Sequence, residues 1–360
     1  MTRLAKRPAR ADRRIRVLRV GDRSLVWRPP VAAAAALLLT VLLAIAALGM
    51  LAGDIPLSPT EVLAVIKGGG SPLDRMVVME LRLPRLLTAV GVGAALGLSG
   101  AVTQSVTRNP LASPDVLGVT AGAGTAAVAV IVLGGGEAAG WLAWLGLPAA
   151  ALGGGLMTAA LVYLLAWRDG VDGNRLILIG IAVGALCLSV TAWLLTRAKI
   201  TDAAQATVWL TGSVTNRGWE HVTAVAVALL LAGGALFAAA HTLDVLRFTE
   251  DTARALGVRL QAGRVRVVVL AVVLAAVATA AAGPVAFVAL VAPQLAIRVV
   301  RVPGPPLLLS ALLGAVLVAG ADLAARTLLP VELPVGVLTA VLGAPYLLAL
   351  LLSQARKVTA

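Results

Sequence analysis

Long uncharged runs separated by short stretches of charge dominate the chain. Leu86 to Thr107 is 22 residues without a charge, bounded by Arg85 and Arg108, enough to cross the ~30 Å hydrocarbon layer of a bilayer as one helix. Val31–Ala52 is a second run of the same length. The pattern predicts ten membrane helices, near 31–52, 86–107, 115–133, 140–166, 176–196, 221–240, 265–282, 285–300, 306–328 and 335–353. The 31 uncharged residues between Arg266 and Arg298 are too many for one span and too few for two full ones. Gly283-Pro284 and Pro293 interrupt them, so two helices joined by a tight turn are expected, one of them short or partly re-entrant. Small residues recur at Gly93, Gly97 and Ala101, the four-residue spacing that lets helices meet backbone to backbone in lipid. GxxxG spacing recurs at Gly118/Gly122 and Gly180/Gly184. Ahead of the first span, Arg16–Trp27 hints at a small hairpin around Gly21-Asp22.

Composition removes the alternatives to a polytopic, all-α membrane protein. The 360 residues are 60% hydrophobic and 13% charged, with a mean hydropathy of +0.97, whereas soluble domains are roughly 45–50% apolar and about 25% charged. Lipid-exposed backbone must satisfy its own hydrogen bonds, which leaves helices or a closed barrel. Uniformly apolar runs do not alternate as barrel strands must, so helices are expected. The net charge of +13 does not point to nucleic acid, because ten of the 30 Lys and Arg residues crowd into the first 28 positions. Residues 1–29 read as a basic cytoplasmic tail and 30–356 as the transmembrane domain. With both termini inside, 22 of the 30 basic residues fall on the cytoplasmic side and 8 outside, as the positive-inside bias requires. Arg13-Arg14 resembles an export signal, but the apolar run behind it exceeds a secretory core and lacks a cleavage site. Cys187 has no partner for an intrachain disulfide and reads as a packing residue. His221 and His241 without a Cys/His cluster predict no metal site. Trp141, Trp144, Trp209 and Trp219 read as interface-belt aromatics.

No phosphate-cradling GxxxxGK[ST] loop occurs, so the chain is not expected to bind ATP itself. No charge lies near the middle of a predicted span, which counts against an ion-coupled secondary transporter. An intramembrane enzyme would need paired polar groups inside spans, and none are seen. In the cytoplasmic loop 241–264, Thr249 can cap a short helix that Glu250 and Asp251 open favourably at the positive end of its dipole. Ala253 and Leu256 fall on one face, and Gly257 is placed to end it.

The run 81–118 (LRLPRLLTAVGVGAALGLSGAVTQSVTRNPLASPDVLG) closely resembles the signature of the iron-siderophore and vitamin B12 (FecCD/BtuC-type) family of ABC-transporter permeases. Five further segments match the same family in order: Arg175–Gly184, Trp209–Ser213, Leu243–Val258, Gly283–Gln294, and Asp322, Arg326 and Glu332–Gly336 with Gly343-Ala344-Pro345. Together they cover roughly residues 31–353. Gln294 stands where the family usually has His, Ala289 where it usually has Gly, and Thr249 replaces a common glycine.

The resemblance implies a type II ABC importer permease fold. It also implies a dimer, homo- or heteromeric, with two separate ATPase subunits that bind the ATP and an extracytoplasmic siderophore-binding protein. No cofactor and no covalent chemistry are expected in this chain. Ferric siderophore is the expected cargo, with haem or cobalamin as alternatives. Leu246, Glu250, Ala253, Leu256 and Gly257 would form a coupling helix seated on the ATPase; the other reading is an amphipathic helix lying on the headgroups. Gly173 and Asn174 map onto a cytoplasmic gate, or Asp172 or Asn174 simply caps the next helix. Arg82, Arg85 and Arg326 would receive carboxylates of the binding protein, or else snorkel to the interface. On the docking reading, Arg82→Glu with Arg85→Glu is expected to leave folding intact and weaken capture.

Overall fold

Each of the ten apolar runs becomes helical. The computed structural model describes residues 16–20, 23–27, 29–53, 55–134, 140–168, 173–246, 260–302, 304–328 and 332–358. In the tail, β1 (Arg16–Val20) and β2 (Arg23–Trp27) pair antiparallel, with Val20 opposite Arg23 and Arg16 opposite Trp27, the hairpin expected there. The helices are α1 (Pro29–Leu51), α2 (Pro59–Ile66), α3 (Pro72–Thr107), α4 (Val119–Leu133), α5 (Gly140–Ala166), α6 (Gly173–Arg197), α7 (Ile200–Leu210), α8 (Trp219–Ala238), α9 (Ala240–Leu246), α10 (Leu260–Ala282), α11 (Val288–Val300), α12 (Leu307–Thr327) and α13 (Val335–Val358).

Among the described residues, eight helices are long and apolar enough to cross a membrane. Two of the ten expected spans are shorter: α4 has 15 residues and α11 has 13, about 22 and 20 Å at 1.5 Å per residue. The run 267–297 thus divides as its Gly-Pro interruption suggests, into a full helix, a turn and a short helix. Phe287, at the entry to α11, has φ +66, a conformation that a bulky side chain adopts only when its surroundings impose it.

The main departure from expectation is α3. It begins at Pro72 rather than at residue 86, behind a capping box in which Ser71 and Asp74 exchange side-chain-to-backbone hydrogen bonds. It runs 36 residues. A π-helical stretch, Val77–Arg82, lies within it. In its most apolar window 83% of residues are buried, against 0% for α1, so α3 is the hub and α1 lies at the periphery against α12. The glycines make this hub possible. A Cβ on Gly93 would stand 2.2 Å from the Gly314 carbonyl oxygen, and one on Gly97 would stand 2.1 Å from that of Ser310, so α3 and α12 cross with their backbones in contact. Gly122 and Gly154 do the same for α4 and α5. Gly184, the second glycine of the α6 pair, has open space where its Cβ would go.

Candidate functional site

Arg82 and Arg108 lie 26 residues apart on and just beyond α3, about 39 Å along a helix axis. That exceeds the hydrocarbon thickness, so the two ends of the helix carry two separate sites.

At the N-terminal end, the last turn of α1 leaves carbonyls with no partner inside the helix. Arg82 supplies donors: Nη1 reaches the Met50 carbonyl oxygen at 2.5 Å, and Nη2 reaches that of Ile55. Arg326, in the last turn of α12, donates to the Gly49 and Ala52 carbonyls at 3.4 Å. Cations at a helix C-terminus also favour its dipole. The fit is close, since a Cβ on Gly53 would lie 2.8 Å from Arg82 Nη2. Arg82 and Arg326 therefore cap α1, a role that neither the docking nor the snorkelling reading anticipated.

Arg85 binds Asp322 through two nitrogens, Nε at 3.0 Å and Nη2 at 2.7 Å, the fork geometry that suits a guanidinium and a carboxylate. Its Nη2 also reaches Glu332 at 2.5 Å. Thr215 donates to the same Glu332 oxygen at 3.0 Å, and Arg326 Nε stands 3.4 Å from Asp322. Burial by itself would raise the pKa of Glu332, but the hydrogen bond and charge of Arg85, with Thr215 and Arg326, outweigh it and hold the carboxyl below its usual range. Arg217, just ahead of α8, is pulled down by burial, partly offset by Glu220. All three arginines from the sequence thus meet in one place, lining a cavity of about 620 Å³ with Arg217, Thr215 and Glu332. Arg82 and Arg85 also hold backbone carbonyls and a buried carboxylate. The expectation that Arg82→Glu with Arg85→Glu leaves folding intact is accordingly withdrawn, because the double substitution would set two carboxylates against those acceptors.

The motif segments assemble beside this cluster. Ser213 N–H donates to Ala282 at 2.7 Å, and Gly336 N–H to Gly212 at 3.0 Å. Gly212 and Gly283 have φ of +72, and a Cβ on Gly336 would lie 2.0 Å from the Thr211 oxygen. Three segments far apart in sequence, 209–213, 283–287 and 332–336, therefore interlock through glycines that admit no side chain. Trp209 is buried among Ala123, Ala127, Ala151 and Ala280 rather than lying in an aromatic belt. Trp219 is exposed and donates to the Met79 carbonyl at 2.9 Å.

At the C-terminal end, Arg108 takes φ +51 and donates to the Leu246 carbonyl at 3.3 Å through Nε and Nη2. Leu246 is buried at the end of α9. Glu250, Ala253, Leu256 and Gly257 lie outside the described residues. Gly173 opens α6, and a Cβ there would touch Thr107 Cα at 3.4 Å; Asn174 follows in the first turn. Gly173, Asn174 and Leu246 are thus brought to one end of α3. Close by, Gln294 donates to Gln104 at 2.7 Å, and Gln104 donates to the Leu290 carbonyl at 3.0 Å. Among the described residues no group of three or more His, Cys, Asp or Glu could hold a metal.

The comparisons with known proteins agree with one another. The FecCD transport family matches residues 38–353. The ferric enterobactin transport system permease protein FepG of Escherichia coli is 41% identical over 330 residues, covering 89% of this chain and 98% of its own. The achromobactin transport system permease protein CbrC of Dickeya dadantii is 40% identical, with 98% and 97% covered. The vitamin B12 import system permease protein BtuC of Yersinia enterocolitica is 36% identical, with 87% and 91% covered. A solved structure described as an inward-facing conformation of a metal-chelate type ABC transporter superposes with a TM-score of 0.78 at 30% identity, over 89% of this chain and 99% of that one. With its helical spans, hub helix and interlocked motif segments, this chain is a multi-pass membrane permease and belongs to the FecCD transport family.

Proposed function

We propose that the chain is the membrane-crossing subunit of a binding-protein-dependent ABC importer for ferric siderophores. It crosses the plasma membrane ten times with both termini in the cytoplasm, α4 and α11 serving as short crossings supported by their neighbours. It works as a dimer above two ATPase subunits, which bind the nucleotide. An extracytoplasmic binding protein delivers cargo to the end of α3 that carries Arg82, Arg85 and Arg326, and the ATPase seats on the segment that follows Leu246. Gly173 and Asn174 form the cytoplasmic constriction. The end-to-end similarity to ferric siderophore permeases carries this reading. The hub helix supports it by joining the two ends of the molecule in one continuous helix. A broad apolar face on α6, including Leu178, Ile181, Leu186 and Leu188, is left exposed, which suits a subunit contact or lipid.

Cobalamin is the second reading, favoured by the identity to a vitamin B12 permease. Mass spectrometry of the ligand carried by the co-transcribed binding protein separates the two. An iron chelate supports siderophore import, and a corrinoid would move the assignment to cobalamin.

A further inference from the structure

We propose that Glu332 is an exchangeable internal ligand of Arg85, occupying in the free permease the guanidinium edge that a carboxylate of the binding protein takes on docking. The inference rests on the docking role proposed above for this end of α3. Two carboxylates hold Arg85, and they differ in kind. Asp322 lies on α12 with 4% of its side chain exposed and makes the forked contact. Glu332 lies in the loop ahead of α13 with 42% exposed and makes a single contact to the guanidinium, at Nη2, through the oxygen that also accepts from Thr215. A buried, bidentate partner is the permanent counter-ion, because removing it would leave a buried guanidinium uncompensated. An exposed, single-contact partner is the one that water and other carboxylates compete with. Glu332 borders the same cavity as Arg82, Arg85 and Arg326, so its departure would leave a donor directed at open space. Arg85 would remain paired with Asp322 throughout. The occupant committed to is an acidic side chain on the binding protein's docking face, which makes the same contact to the same nitrogen.

The test is capture of the co-transcribed binding protein by the permease–ATPase complex in lipid nanodiscs. Wild type is compared with Glu332→Gln and Glu332→Ala, at low and physiological salt. Removing an internal competitor predicts tighter capture in both variants, about three- to tenfold at low salt and less at higher salt, the range expected for one rim charge at an interface. A Glu332 that merely pins its loop predicts the opposite sign, so unchanged or weaker capture in variants that remain folded at the assay temperature overturns the proposal. Failure of the wild type to capture the binding protein at all would instead refute the docking role itself.

Discussion

Gln104 and Gln294 form a buried carboxamide pair between α3 and α11, at the one position in its motif where glutamine replaces the usual histidine. The hydrogen bond joins helices 190 residues apart in sequence. Gln294→Leu should cost about 1–2 kcal/mol, the usual penalty for stranding one buried partner, read by thermal unfolding in detergent. Gln104→Leu with Gln294→Leu should cost less than the two single changes combined, since neither group is then left unpaired. A strictly additive result would show the pair to be uncoupled. Glu332 offers a pH test. Its folded pKa lies below the ordinary carboxylate value, so its stabilising contribution is complete above that ordinary value and fades as the pH falls through the lower folded one. Acid below the usual carboxylate range should destabilise wild type more than Glu332→Gln, and parallel pH profiles would exclude the contact. At this scale the sequence revealed which residues gather but not what they do. The motif resemblance grouped Arg82, Arg85 and Arg326, which line one cavity. The capping of α1 by Arg82 and Arg326 was not legible, because it depends on carbonyls 32 and 274 residues away.

The central helix was legible in its middle and hidden at its start. The small-residue spacing at Gly93 and Gly97 correctly pointed to backbone contact, which the structure places on Gly314 and Ser310. Gly97→Leu should therefore destabilise the chain by about 1–3 kcal/mol or prevent its folding, as overpacking does. A Cβ at Gly184 would meet no atom within 4 Å, so Gly184→Leu should leave the thermal unfolding of the isolated chain unchanged. Equal effects would mean that spacing, not contact, sets the cost. The extension to Pro72 escaped detection because Asp74, Arg75, Glu80 and Arg82 break the apolar pattern. Those charges interrupt the uncharged run that hydropathy follows, so the run gives no sign of where the helix starts. The exposed helices α2 and α7 were missed for the same reason. Orientation is testable element by element. Cysteines introduced at Lys199 and at Gly257 should react with an impermeant thiol reagent only from outside and only from inside, respectively. Labelling of both from one side would contradict the proposed topology.

For the molecule as a whole, hydropathy alone was enough to establish a polytopic helical protein, because no soluble surface can be assembled from so few charges. The interlocking of segments 209–213, 283–287 and 332–336 was beyond sequence reasoning. Each contributes glycines that look like ordinary turn residues until they are packed together. What unites the two ends is α3, a single rod carrying arginines at one end and, just beyond the other, Arg108 on the Leu246 carbonyl. The sequence contains no GxxxxGK[ST] loop, and on the proposed function the ATPase subunits supply the work. The most direct test is transport of a ferric siderophore into proteoliposomes holding the purified permease, with the binding protein supplied outside and the ATPase subunits present or omitted. Uptake that requires both the ATPase and hydrolysable ATP is the predicted result. Uptake by the permease alone, driven by an ion gradient, would contradict the account.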